Sequence, residues 1–203
     1  MDRLLVTHSL LYSWVRCISP NPYESMDSVD PMEDMLTVLR REPTEPTQSM
    51  QNGIEFEDLV TDIVMGRADP DHKWFLAAAN VASRVKGGAL QCKAAKEIEV
   101  DGVPLLLYGR LDCLKAGEII DIKFSGVYER GKYLHFTQHP VYMELIPEAK
   151  QFTYVVSNGT NVWTETYRRD ETRSVYPIIR NFLNWLDAMG LMDVYKEHWG
   201  SRK

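Results

Sequence analysis

The sequence predicts a mixed α/β (α+β) fold in which helices flank a central mixed sheet that contains an antiparallel strand meander. The first observation is the order of segments, which runs helices, three strands, a helix, two strands and a helix. The second is size, because 203 residues suffice for one sizeable core and are too few for two ordinary domains. The third is composition, with 44% apolar and 26% charged residues, as in a globular protein. We therefore expect a single domain over residues 1–203.

The first half of the chain is predicted to be helical. Apolar residues at helical spacing and capping signals indicate helices over residues 9–17, 32–41, 53–65 and 74–86. Ser9 is the expected N-cap of the first, and Gly66 ends the third. Around residues 18–50 the chain is rich in Pro, Ser, Thr and acidic residues, so apart from its one helix we expect a mobile loop segment.

The second half carries the strands. Short apolar runs separated by the turns at Asp101-Gly102 and Ala116-Gly117 predict a meander of three strands over residues 90–100, 104–114 and 118–124. A second hairpin turns at Asn158-Gly159 and joins strands over 151–157 and 161–168. A helix is expected within residues 133–146, and a long amphipathic helix over 175–199 closes the chain.

The second turn of the meander brings acidic residues together. If Lys115 pairs with Glu118 across this two-residue turn, the register places Asp112 opposite Asp121, and Lys123 lies on the same face. Two carboxylates that face each other across a hairpin repel. A bound divalent cation removes that repulsion and turns the pair into ligands. A solvated strand face is the alternative, although Ile119, Ile120 and Ile122 make this strand too apolar for an exposed edge.

Three more polar residues lie where packing does not explain them. Glu57 borders the buried stripe of its helix, where a solvated helix flank is the alternative. Gln138 and Tyr142 are four residues apart and share one helical face, where a surface pair is the alternative. Pro140 between them is expected in the first turn of the helix or at a kink.

These residue types suit a magnesium-dependent phosphodiesterase. Magnesium prefers oxygen ligands and binds through one or two protein carboxylates. Asp112, Asp121 and the backbone carbonyl of Ile122 would hold one ion, while Glu57 would complete that shell or support a second ion. Lys123 would hold the attacking water and stabilise charge on the phosphate. Gln138 would orient the phosphate or the lysine, and Tyr142 would support the strand or stack on a base.

Charge and cysteine content limit the classes of function. The 29 acidic against 23 basic residues give a net charge of −6, which disfavours a protein that coats nucleic acid but leaves a nuclease with a local basic groove open. Three widely spaced cysteines indicate reduced thiols, so a cytoplasmic location is expected. The chain shows neither a signal-peptide pattern at its start nor an apolar run of membrane-spanning length, so no membrane partner is expected.

The motifs occur in the order of a known family. The chain resembles the PD-(D/E)XK nuclease superfamily, in its RecB-like and phage exonuclease-type branch. Four segments match that branch's Gly-x-x-x-Glu, Gly-x-x-Asp, (D/E)-x-K and Gln-x-x-x-Tyr motifs, and they are Gly53–Glu57, Gly109–Asp112, Asp121–Lys123 and Gln138–Tyr142. The opening stretch from Ser9 to Cys17 is also similar to the start of such proteins. Each motif is weak alone, and the ordered set is specific.

The resemblance implies a restriction-endonuclease-like core and a Mg²⁺-dependent deoxyribonuclease, an exonuclease more than an endonuclease, that leaves a 5′-phosphate. Mn²⁺ would substitute, and Ca²⁺ would bind with little turnover. The chain has no cysteine after Cys113, so the iron–sulfur cluster of some members is not expected. The expected setting is DNA recombination, repair or processing in a phage or mobile element, with DNA as partner. A recombinase, a helicase, a single-strand-binding protein or an oligomeric state would fit that setting.

Two other functions compete with the nuclease. One is a non-catalytic nucleic-acid-binding or assembly protein that keeps the fold, and the other is a hydrolase acting on a phosphoester that is not nucleic acid. His135 and His139 are weaker candidates for metal ligands. A DNA groove could be lined by a set of dispersed basic residues, namely Lys86, Lys93, Lys96, Arg110, Arg130, Lys132, Arg168 and Arg169.

Overall fold

The computed structural model describes residues 3–19 and 30–200 and shows a mixed α/β fold, with helices flanking a mixed parallel and antiparallel sheet. Within those residues the sheet has six strands, which are β1 (Leu4–Thr7), β2 (Ala89–Val100), β3 (Val103–Lys115), β4 (Glu118–Phe124), β5 (Gln151–Ser157) and β6 (Val162–Arg168). The helices are α1 (His8–Ile18), α2 (Pro31–Leu39), α3 (Gln48–Val64), α4 (Phe75–Val85), α5 (Gln138–Leu145), α6 (Val175–Ala188) and α7 (Met192–Trp199). Among the described helices, none has the length and hydropathy needed to cross a bilayer.

Strand β3 organises the sheet. Along one edge it pairs with the antiparallel β2. Along the other edge it has two partners, because residues 105–108 pair with the parallel strand β1 and residues 113–115 pair with the antiparallel strand β4. Residues 109–112 lie between these two partners. The sheet therefore divides into two branches at residues 109–112, which we call the fork. Beyond the fork, β4 pairs with the parallel strand β5, and β5 pairs with the antiparallel strand β6.

Two hydrophobic clusters hold the helices on the sheet. The larger joins α1, α2, α5, α6 and α7 to one face, around Leu107, Phe152 and Phe182. The smaller joins α3 and α4 to the other face, around Phe56 and Ile122. Because residues of β4 alternate between the two clusters, Asp121 and Lys123 lie on the face opposite Ile120 and Ile122.

The pairing between β2 and β3 is interrupted at Asp112. Leu90 pairs with Cys113 and Cys92 pairs with Leu111, while no pairing joins the residues between them. At that point Gln91 has φ of 52°, in the left-handed region that residues with a side chain rarely adopt. Leu111 belongs to the larger cluster and Cys113 to the smaller, so the two faces of β3 change over here. The irregular backbone coincides with a predicted site residue.

Several predicted bounds need correction. Helix α1 is capped by the Thr7 hydroxyl, which accepts from Leu10 N at 3.2 Å, and the predicted Ser9 cap is wrong. Helix α3 begins at Gln48 rather than at Gly53, because Thr47 supplies its N-cap. The predicted closing helix is two helices, since Gly190 with φ of 68° separates α6 from α7. Strand β1 was not predicted, as its four residues are too few to show a period.

The other bounds agree closely with the sequence. The meander, the second hairpin and helix α4 begin and end within one residue of the predicted limits. Of the segment 18–50, residues 31–39 form α2 and residues 48–50 belong to α3. Residues 20–29 lie outside the described residues, so the structure gives no information on the loop predicted there.

The connection from β4 to α5 is fastened to β6 through one buried carboxylate. Glu165 accepts hydrogen bonds from the hydroxyl groups of Tyr128 and Tyr167 and from the backbone amides of Gly131 and Tyr133. Three of these donors, those of Tyr128, Gly131 and Tyr133, belong to the connecting segment, which carries no regular strand or long helix, and they hold it against β6. Because this segment joins Lys123 to Gln138, it sets where the helix of Gln138 begins relative to β4.

Candidate metal centre

A polar cavity of about 310 Å³ opens at the fork of the sheet. It is lined by all the predicted side chains of the site, which are Glu57, Asp112, Asp121, Lys123, Gln138 and Tyr142. A further set lines it from β1, α1 and β3, namely Thr7, His8, Ser9, Tyr108, Gly109 and Arg110. The fork explains the cavity, because β1 and β4 diverge where β3 has no partner on that edge.

The hairpin places Asp112 beside Asp121. Lys115 pairs with Glu118 as the turn predicts, and the paired register ends with Cys113 and Ile120. Asp112 comes next, and one of its carboxylate oxygens accepts a hydrogen bond from the backbone amide of Ile122 at 2.8 Å. That bond holds the carboxyl group against β4, within electrostatic reach of Asp121.

Asp121 is the most buried acidic residue of the cavity, with 2% of its surface exposed. Its Oδ1 accepts a short hydrogen bond from the Gln138 amide, and its Oδ2 lies 2.7 Å from Lys123 Nζ. Burial raises the pKa of Asp121 although Lys123 acts to lower it. For Lys123, burial acts to lower the pKa, but the carboxylates of Asp121 and Asp112 outweigh burial and raise it. Lys123 is therefore charged at neutral pH.

Helix α3 brings a third carboxyl group to the two strands. Burial, followed by the charge of Asp121, raises the pKa of Glu57 to about 7. Burial and the charges of Asp121 and Glu57 raise the pKa of Asp112 well above its usual value. Mutual repulsion of carboxylates in a shared site is a known cause of such shifts. Groups with strongly shifted pKa values in a cleft are candidates for function.

Helix α5 supplies Gln138 and Tyr142 from the opposite side. Pro140 is its third residue, within the first turn, where the ring breaks no helical hydrogen bond. Tyr142 is buried, and its hydroxyl donates to the backbone carbonyl of Arg110 at 2.9 Å. A Cβ at Gly109 would lie 2.4 Å from Tyr142 Cε1, so the ring packs directly on the bare backbone of β3. Of the two roles predicted for Tyr142, its hydrogen bond to β3 matches support of the strand.

Part of the cavity lining was not assigned to the site from the sequence. Thr7, His8 and Tyr108 carried no recognised motif, Ser9 was noted only as an expected N-cap and at the start of the stretch that resembles the family, and Arg110 was singled out only as one of eight dispersed basic residues. A possible signal was the run of three polar residues from Thr7 to Ser9 directly after the apolar strand β1. Polar residues at a strand end that starts a helix often line sites.

The structure does not gather the other predicted groups at the cavity. Apart from Arg110, the eight basic residues lie outside its lining, and some have other partners. Lys96 pairs with Glu144, and the guanidinium of Arg169 donates to backbone carbonyls that include those of Met143 and Ala149. His139 is buried and stacks on Tyr167, while His135 is exposed away from the cavity.

The residue types in the cavity suit a divalent cation, although their side chains are not grouped around one point. No three His, Cys, Asp or Glu side chains within residues 3–19 and 30–200 form a ready set of metal ligands. Both carboxylate oxygens of Asp121 have partners, Lys123 at Oδ2 and Gln138 at Oδ1. The donors available are carboxylate and carbonyl oxygens, which hard cations prefer. Three carboxyl groups against the cations of Lys123 and Arg110 also leave an excess negative charge when all are ionised, and a cation would offset it.

Comparison with known proteins shows the fold alone. No protein-family model matches the chain, and no curated protein matches its sequence. Among solved structures, the chain is similar to one described as the crystal structure of SSO0001, with a TM-score of 0.55 and 18% identity. The alignment covers 93% of this chain and 77% of that one. At this identity the likeness supports the mixed α/β arrangement and gives no activity.

Proposed function

We propose that this protein is a metal-dependent DNA nuclease of the PD-(D/E)XK type, built on a restriction-endonuclease-like core. The observation that carries the proposal is the ion pair of the buried Asp121 with the partly buried Lys123, beside Asp112 at the fork of the sheet. Burying the carboxylate of Asp121 lowers stability, and the packing of the core does not require a charged residue there. The four motifs that resemble the nuclease family supply the six predicted side chains that line this cavity.

In this proposal Asp112, Asp121 and the carbonyl of Ile122 hold Mg²⁺, with Glu57 completing the shell. When bound, the ion supplies Lewis-acid stabilisation of the phosphate and makes water a stronger nucleophile. Lys123 then donates to the phosphate oxygen or the attacking water, since its ammonium group is charged and lies at the carboxylates. Gln138 fixes the orientation of Asp121 through its amide. Tyr142 fixes β3 through the carbonyl of Arg110.

The test compares end-labelled linear DNA with covalently closed circular DNA in Mg²⁺. We expect loss of label from the linear form, which Asp121→Ala and Lys123→Ala abolish and a chelator stops. Asp187→Asn is the matched control, because Asp187 is an exposed carboxylate on α6 outside the cavity. Nicking of the circle would indicate an endonuclease within the same proposal. Cleavage that persists in both cavity variants, or no cleavage by the wild type, would contradict it.

A non-catalytic nucleic-acid-binding protein with this fold is the second candidate. The ion pair of Asp121 with Lys123 favours it, because the lysine takes an oxygen that a metal ion would need. This candidate predicts DNA binding that a chelator leaves unchanged, and no difference between the wild type and Asp121→Ala in any cleavage assay. The raised pKa of Glu57 and of Asp112 favours the nuclease, since binding DNA requires no buried carboxylates.

A further inference from the structure

The cavity has a second half that the proposed chemistry does not use. His8 and Ser9 line it from the junction of β1 with α1, and Arg110 lines it from β3. None of the three is needed to hold an ion at Asp112 and Asp121. Polar side chains from two separate segments therefore converge on one opening, where a single bound group would contact all of them.

Arg110 is exposed and lies two residues before Asp112 on β3. Both residues line the same cavity. In the described part of the chain its guanidinium forms neither an ion pair nor a hydrogen bond, although its charge acts to lower the pKa of Glu57. An arginine held near a hydrolytic site with its donors free is suited to bind a phosphate in a bidentate manner.

His8 lines the cavity beside Tyr142. Its ring meets Tyr142 edge to face, with centroids 5.5 Å apart, and the charge of Lys123 also acts on it. Burial and that charge lower the pKa of His8 to about 3, so the imidazole is neutral and can still donate one hydrogen bond. The neighbouring hydroxyl of Ser9 is exposed at the cavity and shares a hydrogen bond of 3.0 Å with the hydroxyl of Thr7, which also accepts from Leu10 N.

We propose that Arg110, His8 and Ser9 bind the backbone phosphate next to the scissile one on the same strand. This inference rests on the proposed function, which puts the scissile phosphate at Asp112, Asp121 and Lys123. Arg110, His8 and Ser9 line the same cavity as those three residues, so a strand held there would present a neighbouring phosphate to them. One cation, one neutral donor and one hydroxyl are also the usual contacts of a single phosphate group.

The test uses single-stranded oligonucleotides in which one phosphate at a time is replaced by a neutral methylphosphonate. Binding is measured in Ca²⁺, and the scissile position is mapped in Mg²⁺. For the wild type we expect one linkage next to the scissile one to lose about tenfold in affinity when neutralised, the usual size for a charge-assisted hydrogen bond. In Arg110→Ala and His8→Ala the same replacement should cost less than about twofold, because its partner is already gone.

Two further variants sharpen the result. Arg110→Lys keeps the charge and should restore part of the dependence on that linkage. Lys150→Ala removes a cation at the opposite end of β4 and β5, so its scan should match that of the wild type. A thermal unfolding scan of each variant identifies any that fails to fold, and Arg110→Lys then carries the comparison.

The outcomes separate this inference from the proposed function. A scan of Arg110→Ala that matches the wild type would overturn the inference, as would a response confined to the scissile linkage. A wild type that binds with the expected pattern but never cleaves would refute the nuclease and leave the phosphate contact standing. Cleavage by the wild type without any dependence on a neighbouring phosphate would overturn the phosphate contact and leave the nuclease standing. Absence of binding to every oligonucleotide would overturn both.

Discussion

Gly109 and Tyr142 show how two residues far apart in sequence depend on each other. The sequence identified both as letters of separate motifs. Their contact joins β3 to α5 across the core, and no spacing along the chain reveals it. The lack of a side chain at Gly109 lets the Tyr142 ring lie on the strand and reach the carbonyl of Arg110. The residue types were predictable from sequence, whereas this dependence required the structure.

We expect Gly109→Ala to destabilise the protein by about 1 to 3 kcal/mol, because the new methyl group meets a rigid buried ring. The loss should be smaller in the background of Tyr142→Ala, where the ring is absent. Urea unfolding of the two single variants and the double variant measures this coupling. Gly126→Ala is the control, since its Cβ would meet no atom within 4 Å. Equal losses from Gly109→Ala in both backgrounds would contradict the contact.

At the level of elements, regular strands were predictable and their interruption was not. The limits of β2, β3 and β4 followed from apolar runs and turns, because those signals are local. Strand β1 was missed since it is short and its partner in β3 lies about a hundred residues away. The break at Gln91 was missed because a left-handed residue leaves no mark on apolar periodicity. Its position opposite Asp112 links the irregular pairing to the site.

We expect Gln91→Gly to raise the free energy of unfolding by about 0.5 to 1 kcal/mol, because glycine adopts positive φ without strain. Ala95→Gly is the matched control in the same strand. Ala95 pairs regularly with Tyr108 and is exposed, so there glycine should lower stability by about 0.5 to 1 kcal/mol. Chemical denaturation of both variants measures the two changes in the free energy of unfolding, which we expect to have opposite signs. Destabilisation by Gln91→Gly would show that this backbone is regular in solution.

At the scale of the whole molecule, three carboxyl groups that repel one another line a single cavity. The net charge of −6 indicated nothing about where the carboxylates lie. The hairpin register predicted the meeting of Asp112 with Asp121, because it depends on two short strands and one turn. The approach of Glu57 and of His8 depends on how α3 and α1 pack, which only the assembled fold determines. Local pairing was therefore readable from sequence, and convergence of distant segments was not.

Without divalent cations, we expect the ionisation of Glu57 to lower stability as pH rises from about 6.5 to 8. The folded state holds protons on Glu57, whose pKa is raised to about 7, while the unfolded state has already released them. Stability then decreases with pH, by about 1 kcal/mol from Glu57 alone over this window. The low pKa values of His8 and His139 act in the opposite sense, because their imidazoles in the unfolded state still release protons within this window. The effect of Glu57 is therefore measured as the difference between the wild type and Glu57→Gln.

Urea unfolding of the wild type and of Glu57→Gln at several pH values, in the presence of a chelator, measures this contribution. The stability of the wild type should fall relative to that of Glu57→Gln between pH 6.5 and 8, because the variant lacks the titrating side chain. Saturating Ca²⁺ should reduce this relative fall, since a bound cation favours the ionised carboxylates. A stability difference between the two proteins that stays constant over the window would indicate that Glu57 titrates normally.

The most direct measurement is calorimetric titration of Mn²⁺ into the protein near pH 7, in two buffers that differ in ionisation enthalpy. We expect binding that releases protons, because Glu57 and Asp112 carry raised pKa values before the ion binds. Asp112→Asn and Asp121→Asn should each weaken binding by about tenfold or more, while Asp187→Asn should match the wild type. Mn²⁺ affinity that is the same in Asp121→Asn as in the wild type would contradict a cation shared by the two strands.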